Sequence, residues 1–214
     1  MSEEVKPPRR YSSERRQEQA RRTRRAVLDA ARRRFLENGY AGTTIADVAT
    51  DAGVSVETVY KAFGNKPGLV KAVFDVAVVG DDEPVPLMQR EFVRRNMAEP
   101  DPRRKLRAYG DHVTEVLPRI GPIQLVVRDA ARADPTAAAV WDQLQAERLT
   151  GMSAFASHLG EGGHLREGVS VAEARDVLWL HNSVEVWDLL VNHRGWSNRR
   201  YGRWVAQQLI AALL

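Results

Sequence analysis

Apolar side chains recur at intervals of three and four residues through most of this chain, whereas alternating runs bounded by hairpin turns are absent. This spacing is typical of amphipathic helices and predicts an all-α protein. The first helix is predicted from about Glu14 or Arg21 to Asn38, where Gly39 supplies a C-terminal stop. Its apolar face consists of Ala26, Val27, Ala30, Ala31 and Phe35.

Two short helices follow, and their apolar residues also lie on one face of each helix. Thr44 is a hydroxyl N-cap for the first helix, which ends at Gly53, and Ser55 caps the second. The apolar faces consist of Ile45, Val48, Ala49 and Ala52 in the first helix, and of Val59 and Phe63 in the second. Two such helices joined by a glycine turn predict a helix-turn-helix over about residues 44–63.

Prolines and glycines divide the rest of the chain into further helices. We predict these at about Lys66 or Pro67 to Val79, Leu87–Met97, Pro102–Leu117, Pro122–Ala133, Pro135–Leu159, Val171–Val191 and Ser197–Leu214. The pattern predicts three parts: a disordered basic arm over residues 1–20, a small helical domain over 21–80 and a larger helical domain over 81–214. The arm is assigned because its start has too few apolar side chains to join a core.

Positive charge is concentrated near the N-terminus. Residues 1–71 carry 15 basic and 9 acidic side chains, whereas the remaining residues carry 17 basic and 19 acidic ones. Nine of the basic side chains lie within residues 6–25, together with only two glutamates. Such a run is either a solvated tail or a contact for nucleic acid, and composition leaves both interpretations open.

Several classes of site are disfavoured by residues that the chain lacks. It has no cysteine, which excludes disulfides, thiolate nucleophiles and cysteine-based metal sites. No two of its five histidines are spaced i, i+4, and neither a nucleophile elbow nor a Gly-Lys-Ser/Thr phosphate loop is present. We therefore expect no enzymatic activity, no catalytic residues, no metal site and no cofactor. The absence of a long apolar run or a signal peptide predicts no membrane partner and a cytoplasmic location.

Residues 40–70 carry the most specific signal in the chain. They contain the strings GTTIADVA (42–49), AGVS (52–55), VYKAF (59–63) and NKPGL (65–69). This arrangement resembles the DNA-binding module of the TetR/AcrR family of one-component repressors, over about Arg21 to Gly80. The resemblance implies that residues 21–80 form a DNA-binding domain.

In a helix-turn-helix the second helix enters the major groove with its first turn against the base edges. This makes Val56, Glu57 and Thr58 the candidates for base contacts. The resemblance and the adjacent helix N-termini add the predicted DNA contacts Thr44, Ser55, Tyr60, Lys61 and Lys66, mainly to backbone phosphates. Arg21 and Arg22, beside the basic arm, are expected to reach an adjacent minor groove.

The resemblance also implies a C-terminal ligand-binding domain that dimerises through its last two long helices. These helices are about Val171–Val191 and Ser197–Leu214, and their apolar stripes are wide enough to face both the core and a partner. The predicted dimer contacts are Val184, Trp187, Trp204, Leu209 and Leu213. The residues that bind the ligand are not predicted.

The sequence thus predicts a homodimeric, ligand-responsive transcriptional regulator, by resemblance a repressor. It would bind a palindromic operator in double-stranded DNA, associate with the nucleoid when bound, and be released by a small-molecule effector. The alternative is a helical small-molecule-binding or enzymatic bundle whose basic N-terminus binds polyanions without sequence preference. Sequence-selective DNA binding distinguishes the two.

Overall fold

The computed structural model describes residues 9–83 and 85–214, and these residues form helices and connecting segments without a strand. The predicted all-α fold class is confirmed for this part of the chain. The chain divides into two compact units, of which the first ends at Val73 and the second begins at Phe74. We predict the boundary at residue 80, after the fourth helix, but the division falls inside that helix.

The N-terminal unit contains α1 (Arg9–Asn38), α2 (Ile45–Ala52), α3 (Val56–Phe63) and the first part of α4 (Lys66–Val79). Helix α1 ends at Gly39, whose positive φ of 70° is the left-handed conformation that glycine adopts without strain. The buried side chains of this unit include Val27, Ala31, Phe35, Tyr40, Val48, Val59 and Leu69. Helices α2 and α3 occupy the positions predicted for the helix-turn-helix.

Helix α1 begins earlier than the predicted start at about Glu14 or Arg21. Of the predicted disordered arm, residues 1–8 lie outside the described residues, but residues 9–20 are helical. The segment is rich in Glu, Arg, Gln and Ala, which are strong helix formers. Further along, Glu18 and Arg22 form an i, i+4 ion pair. The prediction of a disordered arm is therefore wrong for residues 9–20, which are helical. Their local helix propensity explains this, although the segment has no apolar stripe.

The C-terminal unit contains the end of α4, a 3₁₀ turn at Leu87–Gln89, and the remaining helices. These are α5 (Glu91–Ala98), α6 (Pro102–Ala130), α7 (Pro135–Glu161), α8 (Val171–His181), α9 (Val184–Trp187), which continues as a π turn at Asp188–His193, and α10 (Asn198–Leu213). Helix α10 packs along α6, and α7 packs against α6 and α8. At Gly110 and Gly202 the helices α6 and α10 approach so closely that an added Cβ would overlap the partner backbone.

Two predicted helices are in fact one. Helix α6 continues through Pro118 and Pro122, where we predict a break between residues 117 and 122. Each proline removes one backbone N–H from the helix, which is costly in isolation. Burial on both sides of the prolines, at Leu117 and Ile123 among others, favours continuation of the helix.

The predicted helix Val171–Val191 is instead divided. Helix α8 ends at His181, and Ser183 starts α9 as an N-cap whose hydroxyl accepts a hydrogen bond from the Val186 N–H. A serine side chain that bonds to the backbone in this way favours a helix start over a continuous helix. One serine within a mostly apolar segment is a weak indication of such a break, so the sequence predicts a single helix. None of the helices in the described part of the chain is both long and apolar enough to cross a membrane.

Candidate functional site

The helix-turn-helix is defined by caps that the sequence itself encodes. The Thr44 hydroxyl accepts a hydrogen bond from the Asp47 N–H at 3.1 Å, and the Ser55 hydroxyl accepts one from the Thr58 N–H at 3.2 Å. Between them, Gly53 has a φ of 66°, which allows the chain to leave α2 and turn into α3. The predicted residues Thr44 and Ser55 are both exposed, so each marks a helix N-terminus that is accessible to a partner.

Helix α3 has one buried side and one accessible side. Val59 is fully buried and holds the helix to the core, whereas Val56 and Tyr60 are 41% and 50% exposed. Glu57 and Lys61 are also exposed. Four of the predicted DNA contacts on α3 therefore share the accessible surface of one short helix.

The fifth predicted residue of α3 is less accessible. Thr58 is half-buried, and its hydroxyl lies 2.8 Å from the hydroxyl of Ser55, within hydrogen-bonding distance. Because the hydroxyl already has a partner in the cap, the methyl group is the part of Thr58 best suited to a base contact. A thymine methyl is the apolar group that the major groove offers.

Lys66 has a structural role that sequence reasoning missed. Its ammonium group donates a hydrogen bond to the Tyr40 carbonyl at 2.9 Å and lies 4.4 Å from the centroid of the Tyr40 ring. The side chain is half-buried and joins the start of α4 to the end of α1. A lysine ammonium has three donors, so this arrangement also leaves capacity for a phosphate.

An ion pair fixes α2 against α1. The Arg34 guanidinium donates to the Asp51 carboxylate through two atoms, with distances of 2.6 Å and 2.7 Å. These hydrogen bonds raise the pKa of Arg34 and hold the pKa of Asp51 below its usual range. Nothing local in the sequence indicates this pair, because Arg34 and Asp51 lie 17 residues apart.

The two predicted arginines lie within α1 rather than beside a disordered arm. Arg21 and Arg22 are both exposed, and Arg22 is paired with Glu18. Two other arginines of this helix are also placed by packing or pairing: Arg24 lies 4.8 Å from the centroid of the Phe63 ring, and Arg33 lies 3.6 Å from Asp51. Residues 15–22 of the basic segment are thus exposed on a helix.

The C-terminal unit encloses a cavity of about 420 Å³. Its walls come from the last residues of α4, from α5 and from facing sides of α6 and α7. Most of the lining is aliphatic or aromatic, with Phe74, Val116, Leu144 and Phe155 as representatives. A concave apolar site with a few polar groups is the usual form of a small-molecule site. The sequence could not locate it, since apolar residues that line a cavity have the same spacing as those that fill a core.

Four of the five predicted dimer contacts are buried within the protomer. Leu209 and Leu213 are fully buried, and Val184 and Trp187 are 2% and 4% exposed. The Trp187 ring packs directly against Gly121 of α6. These four residues therefore belong to the core of their own unit, which corrects their assignment to a partner. Trp204 is half-buried and remains available to a partner.

The N-terminal unit is similar to known proteins. The model of the tetR family of bacterial regulatory proteins matches residues 27–73. HTH-type transcriptional regulator TtgR of Pseudomonas putida is 45% identical over 58 residues, which are 27% of this chain and 28% of TtgR. HTH-type transcriptional regulator BetI of Paraburkholderia xenovorans is 42% identical over 85 residues, or 40% of each chain. The matches thus span less than half the length of these relatives.

Solved structures extend the likeness to most of the fold. The Bacillus subtilis transcriptional regulator FadR in complex with stearoyl-CoA superposes with a TM-score of 0.66 at 17% identity, covering 88% of this chain and 98% of FadR. A TetR-family regulator from Syntrophomonas wolfei gives a TM-score of 0.70 at 16% identity, with coverages of 90% and 96%. At these identities the comparison establishes the fold.

Proposed function

We propose that this chain is a member of the TetR/AcrR family and a ligand-responsive transcriptional regulator rather than an enzyme; the family match over residues 27–73 supports this assignment. The observation that carries the proposal is the accessible surface of α3, where Val56, Glu57, Tyr60 and Lys61 are exposed beside a capped helix N-terminus. Helix α3 enters the major groove, and the N-termini of α2 and α3 bind phosphates through their backbone N–H groups.

The regulator acts as a homodimer on an inverted repeat. Two copies of α3 must lie about 34–36 Å apart to enter successive major grooves on one side of the duplex. The dimer forms through exposed apolar residues of the last helices, for which Leu180 and Leu189 are candidates at 53% and 57% exposure, together with Trp204. Repression is the proposed outcome of operator binding, as the family resemblance suggests.

The effector is a small molecule that occupies the cavity of the C-terminal unit. FadR of Bacillus subtilis, which shares this fold, has been crystallised with stearoyl-CoA. Phe74 and Val78 line the cavity and belong to α4, the helix whose earlier residues belong to the N-terminal unit. A ligand that displaces this helix changes the separation of the two recognition helices, with a coupling of about 1–3 kcal/mol.

The direct test is selection of binding sites from random duplex DNA, followed by affinity measurement at several salt concentrations. We expect an inverted repeat with two half-sites to be enriched, with an affinity for it far above that for unrelated DNA. Binding that depends only on salt and shows no sequence preference would instead support the polyanion-binding alternative.

Thr58 should control the base preference at one position of each half-site. Thr58→Ala removes the methyl group and should change the preference there by about 1–3 kcal/mol, whereas Thr58→Val keeps a methyl and should retain most of it. Competition binding with operators that vary at each position measures this effect. An equal loss of affinity for all sequences with Thr58→Ala would contradict a base contact.

Lys61 and Lys66 should respond differently to the same substitution. Lys61→Ala should lower the slope of log affinity against log salt by about 0.9, as expected for one lost phosphate contact, without a change in thermal unfolding. Lys66→Ala should also lower the free energy of unfolding by about 1–3 kcal/mol, because it removes the bond to the Tyr40 carbonyl and the ring contact. Equal stability of the two variants would show that the Lys66 contacts contribute nothing to the fold.

A further inference from the structure

The cavity of the C-terminal unit is elongated along α6. Its lining on that helix runs from Tyr109 to Gln124 through residues spaced three and four apart, such as Val113, Val116 and Ile120. Fifteen residues of helix correspond to about 22 Å along the axis. An apolar wall of this length suits an extended molecule better than a compact one.

Three polar side chains that line the cavity are more than nine-tenths buried, and two of them are already hydrogen bonded. Asn96, 7% exposed, donates to the Lys105 carbonyl at 2.9 Å. Tyr109, 6% exposed, donates to the Met152 sulfur at 3.4 Å and accepts a hydrogen bond from the Asn182 side chain. These two groups are fixed within the protein.

Gln124 is the exception among the three. It is only 2% exposed, and its carboxamide makes no hydrogen bond within the described residues, but it is not among the fully enclosed unpaired groups and so keeps access to the cavity. An amide without a protein partner in a mostly apolar cavity wall is available to a ligand group that pairs with it. The amide both donates and accepts, and a matching ligand group must do the same.

The charges around the cavity do not favour an ionic ligand at this position. Asp75 and Glu147 line the cavity but are exposed to solvent. Arg148 already donates to the Trp179 carbonyl and to the Gln145 side chain, and its guanidinium lies 4.2 Å from the centroid of the Trp179 ring. Burial lowers the pKa of His112 to about 4, so this imidazole is neutral at pH 7. The charged groups of the lining are thus either solvated or engaged in contacts within the protein, which disfavours an ion in the cavity because the ion would lose its hydration.

We propose that the effector is an uncharged, elongated and mainly apolar molecule whose polar group both donates and accepts a hydrogen bond, and that Gln124 anchors this group. The assignment rests on the proposed function, because it names the chemistry of the effector of that regulator. Gln124 is thus the specificity-determining residue of the cavity. The aliphatic and aromatic walls bind the apolar part of the molecule and discriminate by length.

The test compares three probes that share one ten-carbon chain and differ in the head group: decanamide, decanoate and decylammonium. Isothermal titration of the full chain without DNA should give decanamide the highest affinity, at least tenfold above the two ions. In Gln124→Leu the affinity for decanamide should fall about tenfold, which corresponds to the loss of its hydrogen bonds. The variant should fold normally, because leucine replaces an unpaired amide with an apolar side chain of similar size.

Gln143→Leu is the matched control, since Gln143 is exposed on α7, bonds to Glu147 and does not line the cavity. It should bind decanamide as the unsubstituted chain does. Tightest binding of decanoate would overturn the proposal in favour of an anionic ligand at Arg148. Unchanged decanamide binding in Gln124→Leu would also overturn it, and so would the absence of binding by all three probes.

Operator binding, measured separately, distinguishes failure of this proposal from failure of the regulator function. Operator binding without any head-group preference would refute the effector chemistry alone. The predicted preference in a protein that binds no specific DNA would refute the regulator and leave the ligand assignment intact.

Discussion

Leu209→Asp should destabilise the C-terminal unit itself, to the point that little folded protein remains. Leu209 is fully buried, and its helix α10 packs along α6 at the close approach of Gly110 and Gly202. An aspartate there would place an unpaired carboxylate in the core and leave part of the leucine volume empty. Together these effects cost about 3–5 kcal/mol or more, against a typical total stability of 5–15 kcal/mol.

Thermal unfolding followed by circular dichroism measures the effect. Gln208→Asp is the control, because it introduces the same charge at the neighbouring exposed position of α10 and should unfold close to the unsubstituted chain. If Leu209→Asp gave a folded monomer of normal stability, the side chain would have to lie at a dimer interface, as the sequence predicts.

The helix-turn-helix could be predicted from sequence because its signals are local. Thr44 and Ser55 cap helices within three residues of themselves, and Gly53 determines the turn between them. No distant contact is needed to decide where α2 and α3 begin. For the same reason the exposed positions of α3 followed directly from the single buried residue Val59 and the helical period.

The predictions that differ from the structure involve contacts between distant residues. The ammonium of Lys66 reaches a carbonyl 26 residues away, and nothing beside it in the sequence indicates that partner. Similarly, Pro118 and Pro122 predict a helix break by local rules, whereas packing along the unit keeps α6 continuous. Periodicity predicts that an apolar residue is covered. It does not show whether the protomer's own core, a bound ligand or a partner subunit covers that residue.

This ambiguity explains the assignment of the dimer contacts. The stripe of α10 contains both Leu209, which the core covers, and the half-buried Trp204. In the segment that follows α8, Trp187 packs on Gly121 while Leu189 is left 57% exposed. Candidate dimer contacts are therefore the apolar residues that stay exposed in the folded protomer. That exposure cannot be predicted from the sequence alone.

The double substitution Leu180→Glu and Leu189→Glu should separate the dimer without unfolding the protomer. Both side chains are more than half exposed, so a glutamate at either position keeps its hydration in the monomer. In a dimer of the usual obligate size, which buries roughly 2,000 Å² or more, the same carboxylates would be desolvated against an apolar surface. Sedimentation velocity should therefore give monomers with a normal unfolding temperature.

Operator binding should collapse in the same variant although its recognition helix is unchanged. A monomer contacts only one half-site of the operator. About half of the binding free energy of the specific complex is therefore lost. For a complex with a dissociation constant of about 10⁻⁸ to 10⁻¹¹ M this is roughly a ten-thousandfold loss or more. Leu149→Glu is the control, since Leu149 is 39% exposed on α7, outside the last helices. That protein should remain dimeric and bind the operator normally. A double variant that still sediments as a dimer would place the interface on another surface, and the half-buried Trp204 would then be the next position to substitute.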